Sequence, residues 1–346
     1  MSIRYSKPSA DVAGESLAYL EKDAEIAGRQ RRLAAVLNDC PRRESCIVCE
    51  SPLLTAQHFK HRITDYVVCS TCGHVQTRAL PPACYPRHME EGVSFGEIYP
   101  PLDAEAFDSR RDRIYRPKLD WVLDCHAALG RSRDELLRSR WTEIGSGAGY
   151  FLDALRICGA QNICGLEEDA ELVRRANQKA GAEVSVCYQD SLADSIARYQ
   201  ADIYAAFFVL EHVNDTRRFF AELARRPSGT VFVFAVPVFG LAALLEAACE
   251  DYAARQLDSV VHTQLFTDAS IKYCLDSAGY RIAAQWVFGQ DSADLSRMML
   301  AKISRGYPPD LVNEARRNFA AIQDPLQQII DRNFWADSRH IVAVKA

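Results

Sequence analysis

The chain has 346 residues, 48% of them hydrophobic and 25% charged, which suits two globular domains or one large domain with additions. Its net charge of −5 argues against a surface devoted to gripping nucleic acid. Residues 1–16 lack the apolar core of a signal peptide, and the most apolar run, 231–245, is broken by Pro237 and Gly240, so a cytoplasmic protein without a membrane span is expected.

Residues 1–40 read as a polar helical segment, with Leu17, Leu20, Ile26, Leu33 and Leu37 at roughly helical spacing. Residues 41–85 carry two Cys-x-x-Cys pairs, Cys46 with Cys49 and Cys69 with Cys72, with 19 residues between them. Each turn can aim two thiolates at one ion, and two turns complete a tetrahedral shell, so a small zinc-ribbon module with a structural Zn2+ is expected. A redox dithiol needs one such pair at a helix start, which two matched pairs fit poorly. His58, His61 and His74 lie nearby, but four thiolates already fill the shell. The other cysteines are scattered singly, as free thiols in a reducing compartment would be. Residues 86–109 follow as a connector, its first part rich in Pro, Gly and Tyr.

From 110 to 346 strands and helices alternate. Strands are predicted at 141–144, 162–166, 184–188, 202–210, 230–236, 280–288 and 339–345, and helices at 150–158, 170–180, 192–199, 216–225 and 268–278. This implies an α/β fold, a doubly wound parallel sheet of seven strands covered by helices on both faces. Helical insertions at 239–262 and 291–335 leave strands at their carboxyl ends, provided the sixth strand is parallel to the rest. Ligands bind at that edge, so both insertions are expected to form a lid over the substrate.

The most informative stretch, 141–155, reads WTEIGSGAGYFLDAL. An apolar strand runs through Glu143 into a loop with Gly145, Gly147 and Gly149, and a helix begins at once. Such a loop allows a tight turn and close approach of a ligand to the main chain. The helix start offers N–H groups to an anion. Glu167 and Glu168 end the next strand, where a carboxylate can accept from both hydroxyls of a ribose. The segment therefore looks built for an adenosine-containing cofactor. A dinucleotide loop wants G-x-G-x-x-G, and its third glycine position is Tyr150 here, which disfavours a dehydrogenase.

The pattern E-x-G-x-G-x-G resembles motif I of the class I S-adenosylmethionine-dependent methyltransferases. The resemblance covers about 110–346. It implies S-adenosyl-L-methionine as cofactor, held by Glu143, Gly145, Gly147 and Gly149, with Glu167 on the ribose and Asp190 near the adenine. The run 207–213, FFVLEHV, is similar to the fourth-strand motif beside the cofactor and carries Phe208 there. Residues 263–267, TQLFT, before a helix and a Gly-Tyr turn are also similar to members of this family. The front module resembles the zinc-binding domain that precedes some methyltransferases acting on sugars and natural products. Sugar C-methyltransferases of that layout carry a further C-terminal domain beyond the seventh strand, which argues against C-methylation. No [ND]-P-P-[YF] motif follows the fourth strand, and no Pro-Cys pair, so neither an exocyclic base amine nor a pyrimidine ring is the expected acceptor.

The resemblance implies methyl transfer, an in-line displacement that needs alignment, exclusion of water and often loss of a proton. For a hydroxyl acceptor the natural base is a histidine, and His212 or His262 is expected in that role. Glu211 would orient a neighbour, Gln290 and Asp291 would bond a polar acceptor, and Tyr99 would reach in from the connector. In a metal-assisted variant Glu211, His212 and His262 would bind a divalent ion, with Phe208 where related metal-using enzymes place another carboxylate. The leading expectation is O-methylation of a small polar molecule, such as a sugar, a nucleotide-linked sugar or a natural-product intermediate. The rivals are an RNA or protein methyltransferase gripping its substrate through the zinc module, and a non-catalytic scaffold.

Overall fold

The computed structural model describes residues 1–9, 22–80, 101–188, 191–259 and 261–346. Its strands in chain order are β1 (Ser2–Tyr5), β2 (Gln57–His61), β3 (Thr64–Val68), β4 (Val75–Thr77), β5 (Trp141–Ile144), β6 (Ile163–Glu167), β7 (Ser185–Cys187), β8 (Ile203–Phe207), β9 (Val231–Pro237), β10 (Gln264–Leu265), β11 (Tyr280–Val287) and β12 (Ser338–Lys345). The helices used below are α1 (Asp23–Val36), α2 (Ala104–Arg110), α3 (Arg116–Asp124), α4 (Arg133–Arg138), α5 (Tyr150–Ile157), α6 (Ala170–Ala180), α7 (Leu192–Arg198), α8 (Thr216–Ala224), α9 (Leu241–Ala248), α10 (Asp268–Ala278), α11 (Asp291–Ile303) and α12 (Pro309–Arg332). Among the described residues no helix is long and apolar enough to cross a membrane.

The main sheet has eight strands in the order β7, β6, β5, β8, β9, β12, β11, β1. Seven were expected. The eighth is β1, from a stretch read as helical, and it pairs in parallel with β11. It is only four residues long and mostly exposed, so the alternation of Ile3 and Tyr5 is too short to mark a strand in the sequence. The segment's helix is confined, among the described residues, to α1.

All strands of this sheet are parallel except β12, which is antiparallel to both β9 and β11. The reason lies in the insertion between β11 and β12. It begins and ends at the carboxyl edge of the sheet, so the chain drops straight into β12 without the crossover that a parallel strand needs. The sixth predicted strand, β11, does run parallel to β9, and both insertions therefore leave from the edge where ligands bind in such folds. Their helices α9 and α11 pack on one another.

Two apolar layers cover the sheet. One face buries Leu119, Trp121 and Val122 of α3 with Phe151 and Leu155 of α5 against Ala205, Val233 and Val342. The other buries Phe219, Phe220 and Leu223 of α8 with Ile271 and Leu275 of α10 against Phe232, Phe234 and Ile341. The alternation along β12, with Ile341 on one face and Val342 on the other, is the period-two pattern of a strand buried on both sides.

Asp291 lies inside the insertions and faces no acceptor. It is fully buried and accepts from the Ala242 N–H at 2.9 Å, from Gln327 Nε2 at 3.1 Å and from the Asp337 N–H at 3.1 Å. A buried carboxylate must find donors, and these come from α9, α12 and the turn before β12. Arg255 bonds Asp294 and Asp337 in the same polar core.

The strands beside the cysteine turns form a second sheet in the order β10, β4, β3, β2. One of its strands, β10, comes from far along the chain and pairs antiparallel with β4, Gln264 opposite Gln76 and Leu265 opposite Val75.

Candidate active site

The order β6, β5, β8 puts a switch point beside β5, because the chain runs outward in opposite directions from there. The loop after β5 holds Gly145, Gly147 and Gly149 at φ of +65°, +52° and +84°. A side chain at Gly145 would meet Val209 Cγ2 at 2.5 Å, and one at Gly149 would meet Ala176 Cβ at 2.8 Å. These two glycines let the loop press on the chain after β8 and on α6. Gly147 differs, since a Cβ there would meet no atom of the described residues within 4 Å. Its bare face opens onto space where a ligand can touch the main chain. Tyr150, in place of a third glycine, stacks between Phe107 at 4.4 Å and Tyr115 at 5.3 Å.

Two acids flank this loop. Glu143 is 3% exposed, and its Oε2 has no hydrogen-bond partner among the described residues. Burial holds its carboxyl well above the usual carboxylate range, against the pull of the Lys118 ammonium. Glu167 accepts the Gly147 N–H at 2.7 Å with Oε2 and the N–H groups of Glu168 (2.7 Å) and Asp169 (3.0 Å) with Oε1. Its carboxylate thus ties the end of β6 to the glycine loop. Asp190 falls outside the described residues, as does Tyr99. The donor set fits S-adenosylmethionine: an unsatisfied buried acid suits its amine, and the open face of Gly147 admits its close approach.

Lys118 was not singled out in the sequence. It is 5% exposed, and its ammonium lies 5.0 Å from the Tyr115 ring, 4.9 Å from Phe207 and 5.1 Å from Phe208. A cation in such surroundings is held by the negative faces of the rings. Phe208 itself follows β8 with φ of +58°, a costly conformation for a non-glycine residue, and its N–H bonds the Ala235 carbonyl at 2.8 Å.

Three residues beyond, a 3-10 turn (Leu210–His212) carries Glu211 and His212. The structure brings His262 to them across about 50 residues of sequence, with ring centroids 5.2 Å apart. His212 Nδ1 lies 2.7 Å from the Val261 carbonyl and His262 Nδ1 3.4 Å from that of Gln256. Burial lowers the pKa of His212, and burial with the neighbouring His212 lowers that of His262 to about 3. Glu211 is 1% exposed and burial pushes its carboxyl up to about 8.

The four cysteines converge as well. Cys46 Sγ lies 3.6 Å from Cys72 Sγ, and Cys49 Sγ 3.5 Å from Cys69 Sγ. Sulfurs about 2.3 Å from one tetrahedral zinc would be about 3.8 Å apart, so the set matches such a shell. His74 is more than a bystander. Its Nε2 meets Gln264 Oε1 at 2.8 Å, and Gln264 Nε2 donates to the carbonyls of Leu210 (2.7 Å) and Val213 (2.6 Å). Arg43 adds a bond to Asn214 at 3.0 Å. The cysteine module is thus wired to the turn that carries Glu211 and His212.

His340, another residue the sequence reading passed over, sits in β12 with no exposure, stacked on Phe288 at 4.3 Å and edge-on to Phe208 at 5.6 Å. Neither ring nitrogen has a hydrogen-bond partner among the described residues. Burial, and then the charges of Lys118 and Lys7, hold its pKa well below the ordinary value. Below pH 6.5 the unfolded state takes up a proton that the native ring refuses, so stability present above that pH is lost as pH falls. Between pH 7.5 and 5.0 the native protein should lose about 2 kcal/mol more than a His340→Phe variant, as read by urea unfolding. Equal losses would show that the ring is not held neutral.

A family model described as "Methyltransferase domain" matches residues 108–285. No curated protein matches the chain. Among solved structures, magnesium protoporphyrin IX methyltransferase from Synechocystis PCC 6803 with bound SAH is 15% identical, with 73% of this chain and 93% of that chain covered and a TM-score of 0.44. A geranyl diphosphate methyltransferase in complex with SAM is 11% identical, with coverages of 73% and 96% and a TM-score of 0.43. An S-adenosylmethionine dependent methyltransferase from Mesorhizobium loti is 18% identical, with coverages of 60% and 91% and a TM-score of 0.39.

Proposed function

The chain belongs to the methyltransferase domain family, as a class I S-adenosylmethionine-dependent methyltransferase, and on that premise we propose that it O-methylates a small polar molecule. A sugar, a nucleotide-linked sugar or a natural-product intermediate is the acceptor class. The observation that carries the cofactor site is the open face of Gly147 beside Glu167, with the unsatisfied Glu143 in the strand below. Bound there, S-adenosylmethionine supplies an electrophilic methyl group on a sulfonium.

The residues of the chain do the rest. Glu143 receives the amine of the cofactor, Glu167 the ribose hydroxyls and Asp190 the adenine, while Phe208 packs beside the reacting group. His212 and His262 face the acceptor hydroxyl and promote loss of its proton. The insertions 239–262 and 291–335 exclude water above them. Residues 41–85 form a zinc-binding module ahead of the methyltransferase domain at 110–346, with Zn2+ on Cys46, Cys49, Cys69 and Cys72. The module's bonds through His74 and Gln264 support a structural role in holding the turn with Glu211 and His212. The acidic net charge supports a small acceptor over a nucleic acid, and the many single cysteines support a cytoplasmic setting.

Methyl-labelled S-adenosylmethionine added to the zinc-retaining protein and a cell extract tests this. Label should enter the small-molecule pool and fall by roughly 100-fold in His212→Ala, with cofactor binding retained. Label in the RNA or protein pool would overturn the proposed acceptor. Cofactor binding without label in any pool would favour a scaffold.

A further inference from the structure

Glu211, His212 and His262 offer one ligand atom each, and these atoms all lie within 4.8 Å of one another. The hydrogen bonds around them fix how each ring presents itself. The carbonyl of Val261 can only accept, so His212 Nδ1 at 2.7 Å carries the proton and the neutral ring has its lone pair on Nε2. His262 repeats the arrangement with the Gln256 carbonyl at 3.4 Å. A ring whose Nδ1–H is spent on a backbone carbonyl is oriented as a metal-ligating imidazole is. His212 Nε2 stands 3.9 Å from Glu211 Oε1.

Glu211 gives an independent sign. It is 1% exposed, and its Oε2 meets no donor among the described residues. A buried carboxylate oxygen without a donor is costly and calls for an explanation. A cation among the three side chains would answer it, and would join a buried carboxylate and two half-buried imidazoles into one coordinated set.

We infer that Glu211, His212 and His262 hold a divalent cation at the acceptor end of the cofactor cleft. Two imidazoles and a carboxylate suit a first-row transition ion. Three protein ligands leave positions open, as they do in catalytic metal sites. Those positions take the acceptor's hydroxyl and a second oxygen next to it, so the acceptor is a molecule with two adjacent oxygens. The cation lowers the pKa of the hydroxyl it coordinates, and the proton passes to water. The role, though not the existence, of the site rests on the methyl-transfer reading above.

Mn2+ is the probe, because thiolates disfavour it and the cysteine module will not compete for it. The zinc-retaining full chain is titrated with MnCl2 and free Mn2+ is read by electron paramagnetic resonance. S-adenosylmethionine binding is measured by calorimetry on the same samples. One saturable Mn2+ site is expected, weakened at least tenfold in both Glu211→Gln and His262→Ala, with zinc content and circular dichroism unchanged. No saturable site, or equal affinity in the two variants, would overturn the inference. Mn2+ binding without S-adenosylmethionine binding would uphold the cation site and sink the methyltransferase reading. The reverse result would do the opposite.

Discussion

Replacing Gly147 by alanine is expected to weaken S-adenosylmethionine binding about a hundredfold, roughly 2.7 kcal/mol, while the unfolding midpoint moves by only a few degrees. The native φ is +52°, so an alanine there is strained by about 1 kcal/mol. The new methyl group would meet no atom of the described residues within 4 Å, so the loop has room for it. The volume it fills is the one the proposed cofactor needs. Gly149→Ala provides the contrast. Its Cβ would meet the Cβ of Ala176 at 2.8 Å and its Cα at 3.2 Å, so helices α5 and α6 must part and stability should suffer first. Calorimetry and thermal unfolding on the two variants separate these outcomes. Unchanged cofactor affinity in Gly147→Ala would place the cofactor elsewhere.

The second large effect is expected at the cysteine module. Cys72→Ser should release one equivalent of zinc and lower stability by at least about 4 kcal/mol, because a small module without its own core depends on its metal to fold. Among the described residues of this region, only Cys46, Val48, Leu53, Ala56, Val67, Cys69 and Cys72 join the main core as buried apolar residues, and three of these are cysteines of the proposed zinc shell. Methyl transfer should fall further than cofactor binding. Gln264 reaches from His74 to the carbonyls of Leu210 and Val213, so disorder in the module reaches the turn with Glu211 and His212 before it reaches the glycine loop. Zinc content by mass spectrometry, urea unfolding and the labelled assay read the three effects. A purified protein without zinc, or a Cys72→Ser variant of undiminished stability, would refute the structural role.

What could be read from the chain depended on whether a feature is local. The glycine loop and the cysteine pairs need particular residue types at fixed short spacings, so they stand out in one dimension. The alternation of strands and helices is likewise local, and the strands β5 to β9 fall close to where periodicity put them. Lys118 and His340 carry no such mark. One is a lysine in a helix and the other a histidine in a strand, and each becomes notable only through neighbours brought from other elements. Asp291 shows the opposite failure. Its place after the sixth strand suggested an acceptor contact, but packing of the two insertions surrounded it with donors instead.

The eighth strand belongs to the same class of event. Ser2–Tyr5 is short and mostly exposed, and its extended form depends on hydrogen bonds to Ala284–Val287, some 280 residues away. The reversed direction of β12 follows from where the preceding insertion starts and stops, which only the assembled sheet reveals.

By itself the sequence determined the α/β class, the positions of most strands, the glycine loop with its acids and the cysteine quartet. These follow from backbone periodicity, from φ values open only to glycine and from ligand spacing within a single turn. The tertiary structure alone decided the pairing of β10 with β4 and the burial that leaves Glu143, Glu211 and His340 with atoms that have no partner among the described residues. Desolvation and long-range hydrogen bonding depend on what surrounds a group in space, and a linear chain does not carry that information at any one position.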